Sequence, residues 1–192
     1  MNEADQPGLI RAAQSGNREA FGQLLAGCYD NIYRFAYRWC GNRTDAEDIT
    51  QQACIKLAQS LGQFRFEAAF SSWLYRLVIN CAKDWYRSQN RHQHETIDNW
   101  SEAAEDSIEP ERTADRTAEN SIYLHQLLRR LDQMAEGFKE TALLVHGEGL
   151  SHAEAAAILQ LKESTVSWRL HEIRKQLQLL QQQPDGSWEL SL

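Results

Sequence analysis

The sequence predicts an all-α protein with two small helical domains joined by an acidic linker. Apolar residues recur at steps of three and four through both ends of the chain, which is typical of helices that bury one face. The middle of the chain has few apolar residues and a dense run of acids, which favours a flexible, self-repelling linker. No alternating strand pattern competes with this interpretation. We expect a helical bundle at 1–90, the linker at 91–118, a second helical domain at 119–183 and a tail at 184–192.

The N-terminal domain is predicted to contain four helices separated by polar breaks. A first helix is interrupted at 15–17, and the next carries its apolar positions from Cys28 to Trp39 before the Gly41-Asn42 pair. "TDAE" at 44–47 has the spacing of a capping box and is expected to open a third helix. A loop over 62–69 then leads into the fourth helix.

The fourth helix, within "FRFEAAFSSWLYRLVINCAKDWYR" at 64–87, has two different faces. Its helical spacing predicts a core face and a polar, positively charged stripe. The core face is Leu74, Leu77, Val78, Cys81 and Trp85, and the stripe is Arg76, Asn80, Lys83 and Arg87. Exposed rings beside cations bind single-stranded nucleic acid, because each stacked base contributes about 1–3 kcal/mol. The alternative is that the rings cap the core and the cations form a solvated face, and the pattern alone leaves both open.

The second domain is predicted to hold a helix-turn-helix. Two amphipathic helices, at 124–131 and 138–145, precede it. "SHAE" at 151–154 has capping-box spacing and opens a short Ala-rich helix, and a turn at 160–162 leads to a longer helix with its apolar face at Val166, Leu170, Ile173 and Leu177. The second helix of such a pair usually enters the major groove of DNA.

The net charge of −7 lies in one segment of the chain. Residues 95–120 contain nine acids and two bases, so this segment alone accounts for it and the flanking parts are neutral overall. An isoelectric point near 5.4 therefore does not exclude nucleic-acid binding by those parts.

Nothing in the sequence indicates catalysis, a cofactor or a metal site. The four cysteines are widely spaced within apolar runs, so we interpret them as reduced core residues. His92 and His94 lack a third ligand nearby and fit a solvated loop better than a metal site. No apolar stretch is long enough to span a membrane and the first ten residues do not form a secretory signal, so we expect a cytoplasmic, non-enzymatic protein.

Two segments resemble one known family. "DAEDITQQACIKLAQSLGQFRFEAAFSSWLYRLVINCAKDWYR" at 45–87 resembles conserved region two of bacterial RNA polymerase sigma factors, and "GLSHAEAAAILQLKESTVSWRLHEIRKQL" at 149–177 resembles their region four. A chain that contains these two regions without the other sigma domains resembles the extracytoplasmic-function branch of that family. The resemblance implies a sigma factor that confers promoter recognition and minus-ten strand opening. It implies as partners core RNA polymerase, through its β′ clamp and β flap, promoter DNA and an anti-sigma factor, with no direct membrane insertion.

The resemblance assigns roles to residues of the first domain. The helix that begins "DAED" is implied to dock on the β′ clamp through Asp45, Asp48, Gln51 and Gln52. The loop Gln63 to Ala69 is implied to capture a flipped base, with Phe64 as a candidate ring. Further along, the separated strand is implied to lie on Trp73, Arg76, Asn80, Lys83 and Arg87.

The resemblance also assigns the reading of the minus-thirty-five element to the second domain. Positions implied to reach base edges are Ser164, Thr165, Ser167, Trp168, Arg169 and His171, while Arg174 and Lys175 are expected at phosphates. Packing of Trp168 on a neighbouring helix is the alternative for that residue. The chain departs from the family pattern at Gln160, Lys162 and Trp168, so no promoter sequence is inferred.

Two other functions fit parts of this pattern. One is a stand-alone helix-turn-helix regulator that binds duplex DNA unaided, with 1–87 as a dimerisation or sensing bundle. The other is a helical interaction protein that mimics a sigma factor and sequesters a partner.

Overall fold

The computed structural model describes the backbone of residues 6–97 and 127–181 and the side chains of 6–89 and 127–178. These residues form helices and turns, with no strand among them, which confirms the predicted all-α class. The chain divides into two compact units between Arg130 and Leu131. Most of the predicted linker and the whole predicted tail from 184 lie outside the described residues.

The first unit is a bundle of four helices. They are α1 (Gln6–Gln14), α2 (Arg18–Cys40), α3 (Arg43–Ser60) and α4 (Phe70–Ile97), with a 3-10 turn at Leu61–Gln63 after α3. Asn17 caps α2 by accepting a hydrogen bond from the Ala20 amide at 3.0 Å. Gly41 ends α2 in the left-handed conformation, with φ 79°. Both predicted breaks are confirmed.

The apolar faces of α2, α3 and α4 meet in one core. Leu24, Ile32, Phe35, Ile49 and Leu57 are at most 1% exposed. All five positions predicted for the core face of α4 are also buried, so that face is confirmed. The four cysteines are free thiols, two of them buried and two half-buried.

The start of α3 differs from the prediction. The capping box expected at 44–47 is wrong, because α3 already begins at Arg43 and its cap is Asn42. The side-chain oxygen of Asn42 accepts from the Asp45 amide at 2.9 Å, and its amide nitrogen donates to the Asp45 carboxylate at 2.6 Å. Glu47, the expected partner in the box, instead pairs with Arg43 at 2.8 Å.

Helix α4 runs further than expected. It continues to Ile97, into the segment that was predicted to be linker from 91 onwards, and this part of the prediction is wrong. No Gly or Pro interrupts residues 88–97, so composition alone did not mark the end of the helix. His92 and His94 are therefore helical, and their side chains lie outside the described residues.

The second unit contains the predicted helix-turn-helix. A helix α5 covers 127–133 and includes the boundary between the units. In the second unit α6 (Phe138–Ala142) continues as a π-helical turn at Leu143–Gly147, and α7 (His152–Leu159) and α8 (Glu163–Gln181) follow. The capping box at the start of α7 is confirmed, with Ser151 and Glu154 bonded reciprocally. Gln160 adopts a left-handed conformation, with φ 57°, at the turn between α7 and α8.

Candidate nucleic-acid interface

The polar stripe of α4 lies at the surface of the first unit. Asn80 and Arg87 are exposed, while Trp73, Arg76 and Lys83 are half-buried. Arg87 lies 3.7 Å from the carboxylate of Asp84, and both side chains are largely solvated. A pair of this kind contributes about 0–1 kcal/mol, so it does not prevent Arg87 from contacting a phosphate.

A groove runs between α3 and α4 beside this stripe. Trp73, Arg76 and Asn80 line one side of it, and Gln52 and Ile55 line the other. Ile55 is 52% exposed although it is apolar, so the groove wall offers contact area as well as polar groups. The geometry allows an extended polar ligand to contact both helices at once.

Four rings pack together where the loop meets α4. Phe64 is their centre, with ring centroids 4.8 Å from Phe66, 5.4 Å from Phe70 and 5.5 Å from Trp73. Phe64 and Phe70 are only 6% and 5% exposed. Of the two interpretations that the sequence left open for the rings, packing against the core applies to Phe64 and Phe70, and exposure for binding is wrong for these two.

Phe66 is the exposed ring of this cluster. It is 37% exposed and has a positive φ of 59°, a conformation that is rare for a bulky residue. Such a backbone costs on the order of 1–3 kcal/mol, so contacts in the folded protein must hold it in place. The sequence analysis named Phe64 as the candidate ring of the loop and missed Phe66, because neither apolar spacing nor composition distinguishes the two residues.

The residues predicted to face the polymerase clamp share one surface of α3. Asp48, Gln51 and Gln52 are exposed, and Asp45 is half-buried, with its carboxylate accepting a hydrogen bond from the Asn42 side chain. Gln52 also lines the groove with Trp73 and Arg76. The predicted clamp surface and the predicted strand surface are thus contiguous.

Most residues predicted at the minus-thirty-five element lie on the outer face of α8. Ser164, Ser167, Trp168, His171, Arg174 and Lys175 are exposed, and Thr165 and Arg169 are half-buried. Trp168 is 56% exposed although one edge meets the ring of Phe138 at 5.5 Å between centroids. The hydroxyl of Ser167 lies 2.9 Å from Nδ1 of His152, a contact between α7 and α8 that the sequence did not indicate.

Arg169 is held by its own domain. Its Nη1 donates to the main-chain oxygen of Gly137 at 3.0 Å and lies 3.4 Å from the Thr141 hydroxyl. Its guanidinium carbon lies 5.8 Å from the centre of the Phe138 ring. The side chain therefore fixes α8 against the start of α6, whatever else it contacts.

Within the described ranges, no group of three or more His, Cys, Asp or Glu side chains is arranged to hold a metal ion. The described helices also include none with the length and apolar content needed to cross a membrane.

Two family models match the chain. The model for Sigma-70 region 2 matches residues 24–92, and the model for Sigma-70, region 4 matches residues 124–177. The first contains α3, the groove and the ring cluster, and the second contains the helix-turn-helix.

Similar proteins agree with these matches. The chain is 31% identical to the RNA polymerase sigma-H factor of Pseudomonas aeruginosa, over 90% of this chain and 91% of that protein. It is also 31% identical to the ECF RNA polymerase sigma factor SigM of Mycobacterium tuberculosis, over 92% of this chain and 84% of that protein.

The fold is also found in solved structures. CnrH, solved in complex with the cytosolic domain of CnrY, is 25% identical with a TM-score of 0.65, over 92% of this chain and 97% of that one. The sigma factor RpoE of Bartonella quintana, solved with the anti-sigma factor NepR, has the same fold with a TM-score of 0.60 at 21% identity, over 86% of this chain and 98% of that one. The chain belongs to the extracytoplasmic-function family of RNA polymerase sigma factors, which act in transcription initiation.

Proposed function

We propose that this sigma factor uses three surfaces, one to bind the polymerase and two to recognise the promoter. The exposed face of α3 binds the β′ clamp of core RNA polymerase, the loop 63–69 and the polar stripe of α4 hold the unpaired minus-ten strand, and the first turns of α8 read the minus-thirty-five duplex. The observation that carries the proposal is the two-sided α4, with one face in the bundle core and the other beside an open groove.

The chemistry of the α4 surface fits an unpaired strand. Extracting a base from the duplex costs a few kcal/mol, and stacking on a ring returns about 1–3 kcal/mol per base. Trp73 and Phe66 offer partly exposed ring surface, while Arg76, Lys83 and Arg87 supply positive charge along one helix face. Asn80 adds both a donor and an acceptor for a base edge.

The surface of α8 fits a duplex. Trp168 and His171 are exposed near the start of the helix, where a recognition helix reaches base edges. Trp168 is suited to apolar contact with a thymine methyl group, whereas Arg174 and Lys175 lie further along, where phosphates are contacted. Arg169 supports this surface by holding α8 in place through its hydrogen bond to the main-chain oxygen of Gly137.

The partners follow from this assignment. The chain acts in the cytoplasm without catalysing a reaction, because the polymerase performs the chemistry and the sigma factor supplies specificity and strand opening. The β flap is the proposed polymerase contact of the second unit. An anti-sigma factor is a further proposed partner, supported by the likeness to CnrH, which was solved with the cytosolic domain of CnrY.

Transcription by core polymerase from genomic templates tests the proposal. With the purified protein added, we expect new start sites that share a minus-ten and a minus-thirty-five element at fixed spacing. Absence of any new start site, together with stable binding of the protein alone to duplex DNA, would support the stand-alone regulator instead. The family matches favour the sigma factor over that regulator and over a sigma mimic.

A further inference from the structure

Helix α1 contacts the loop that is proposed to capture the flipped base. The side-chain amide of Gln14, near the end of α1, donates to the main-chain oxygen of Leu61 at 2.9 Å and to that of Phe64 at 2.8 Å. Leu61 is the first residue of the 3-10 turn before the loop, and Phe64 is the residue that follows this turn. One side chain thus fixes both ends of the turn.

A second residue of α1 contacts the exposed ring of the loop. The guanidinium carbon of Arg11 lies 5.0 Å from the centre of the Phe66 ring, within the range of a cation–π contact. Phe66 is the residue with the left-handed backbone, so Arg11 touches the loop where its conformation is least favourable on its own. Arg11 and Gln14 lie three residues apart, on the same side of α1.

We propose that Arg11 and Gln14 are positioning residues for minus-ten strand capture, which hold the loop 63–69 in the shape that receives the flipped base. This inference rests on the proposed role of the loop. It extends the strand-opening site to α1, which begins well before the segment matched by the region 2 model.

The physical reason is preorganisation. A loop that must be ordered when the strand arrives loses conformational entropy at that moment, and the loss weakens binding. Contacts that already hold the loop in the free protein remove this loss without touching the DNA. Loss of either contact should therefore weaken capture of the base more than docking on the polymerase, which is assigned to α3.

The test measures the affinity gained from the captured base. Holoenzyme is titrated with a single-stranded non-template oligonucleotide from a mapped promoter, and with copies that carry one abasic position each. The measured quantity is the capture ratio, which is the dissociation constant of the abasic oligonucleotide divided by that of the intact one. In the parent protein this ratio should be about ten, since removal of the captured base abolishes its stacking. In Arg11→Gln the ratio should fall about two- to fivefold, as expected for an exposed cation–π contact. Gln14→Glu, which keeps the side-chain shape but removes the donor, should bring the ratio close to one.

Two controls make the outcome decisive. Arg18→Gln removes an exposed cation from the start of α2 and should keep the parental ratio. Arg11→Lys should restore part of the ratio, because it retains a cation over the ring. Arg11 is exposed, so its substitution remains informative even if Gln14→Glu fails to fold.

Each result has one meaning. A lower ratio in Arg11→Gln and Gln14→Glu, with unchanged affinity for core polymerase, supports the proposal. A parental ratio in both Arg11→Gln and Gln14→Glu overturns it while leaving the proposed function in place. A ratio of one at every position in the parent protein would remove the proposed capture site, and the inference with it.

Discussion

The Nη1 atom of Arg169 lies 3.0 Å from the main-chain oxygen of Gly137, and this hydrogen bond joins the recognition helix to the turn before α6. A bond from a charged donor contributes about 1.5–3 kcal/mol, so we expect Arg169→Ala to lower the free energy of unfolding of the protein by about 1–3 kcal/mol. Urea denaturation followed by circular dichroism measures this change. Arg174→Ala is the matched control, because Arg174 is exposed on the same helix and its loss should change stability by less than about 0.5 kcal/mol.

Gly137→Ala tests the same contact from the other partner. Gly137 has φ 94°, and an added Cβ would overlap the Arg169 guanidinium. The substitution should therefore destabilise the protein at least as much as Arg169→Ala. Equal stability of Arg169→Ala and Arg174→Ala would show that the hydrogen bond does not hold α8 in solution.

Trp73, which is half-buried, and Trp168, which is exposed, should affect different steps of initiation. Trp73→Ala should impair opening of the minus-ten region by about tenfold, because a stacking surface worth about 1–3 kcal/mol per base is lost, and should leave the closed complex nearly unchanged. Trp168→Ala should instead weaken the closed complex. Permanganate footprinting of thymines measures opening, and gel retardation at low temperature measures the closed complex. Equal thymine reactivity in Trp73→Ala and the parent would argue against a strand-binding role for Trp73.

Charge reversal on α4 separates a sigma factor from a sigma mimic. The double variant Arg76→Glu, Lys83→Glu places two negative charges on the proposed strand surface, so like-charge repulsion should reduce promoter opening by at least about tenfold. Affinity for core polymerase should change little, because the proposed docking face is on α3. Co-purification with core enzyme and run-off transcription measure the two properties. Parental transcription by the double variant would place the strand elsewhere.

Glycine at position 160, in the turn of the helix-turn-helix, is expected to give a more stable protein than the native Gln160. Gln160 is exposed and adopts φ 57°, which costs an L-residue about 1 kcal/mol relative to glycine. Gln160→Gly should therefore raise the free energy of unfolding by up to about 1 kcal/mol, while Gln160→Val should lower it. Thermal denaturation of the two variants measures the difference. A lower melting temperature for the glycine variant would mean that the added freedom of its unfolded chain dominates.

Two buried thiols should react slowly in the folded protein. Burial, with a smaller contribution from Cys54, raises the pKa of Cys28 to about 11, and burial likewise raises the pKa of Cys81 to about 11. Alkylation by iodoacetamide at pH 8 should therefore be about a hundredfold slower than in the denatured chain, and faster as the pH rises. Mass spectrometry of the labelled peptides measures this rate for each thiol.

The same shift predicts how stability varies with pH. Because the folded pKa of each thiol lies above its ordinary value of 9.0, folding favours the neutral form. This contribution is fully present below pH 9 and is lost as the pH rises towards about 11. Replacement of both cysteines by alanine should flatten the stability curve between those values.

The sequence could predict the helices because each one buries a face. Steps of three and four located the core of α2, α3 and α4, and the Ser151–Glu154 pair located the start of α7. The cap of α3 was placed wrongly because both Asn42 and Thr44 have suitable side chains, and only the path of the chain after Gly41 decides between them.

The parts of the site that depend on distant contacts could not be predicted. The family resemblance assigned Arg169 to the DNA surface, but its hydrogen bond to Gly137 joins residues 32 positions apart. Similarly, Phe64 and Phe66 have the same character in the sequence, and only packing against Phe70 and Trp73 determines which ring is buried. The contact of Gln14 with the loop spans about fifty positions and leaves no local signal.

Gln52 belongs to two neighbouring surfaces, since it lies on the exposed side of α3 and forms part of the groove wall opposite Trp73. A genetic screen that selects for loss of transcription would therefore recover Gln52 substitutions with mixed phenotypes, pleiotropic for enzyme assembly and for DNA melting. Suppressors of such alleles should arise both in the β′ subunit and in α4. Changes at Asp48 and at Lys83, which fall outside that wall, should give single phenotypes and serve to calibrate the screen.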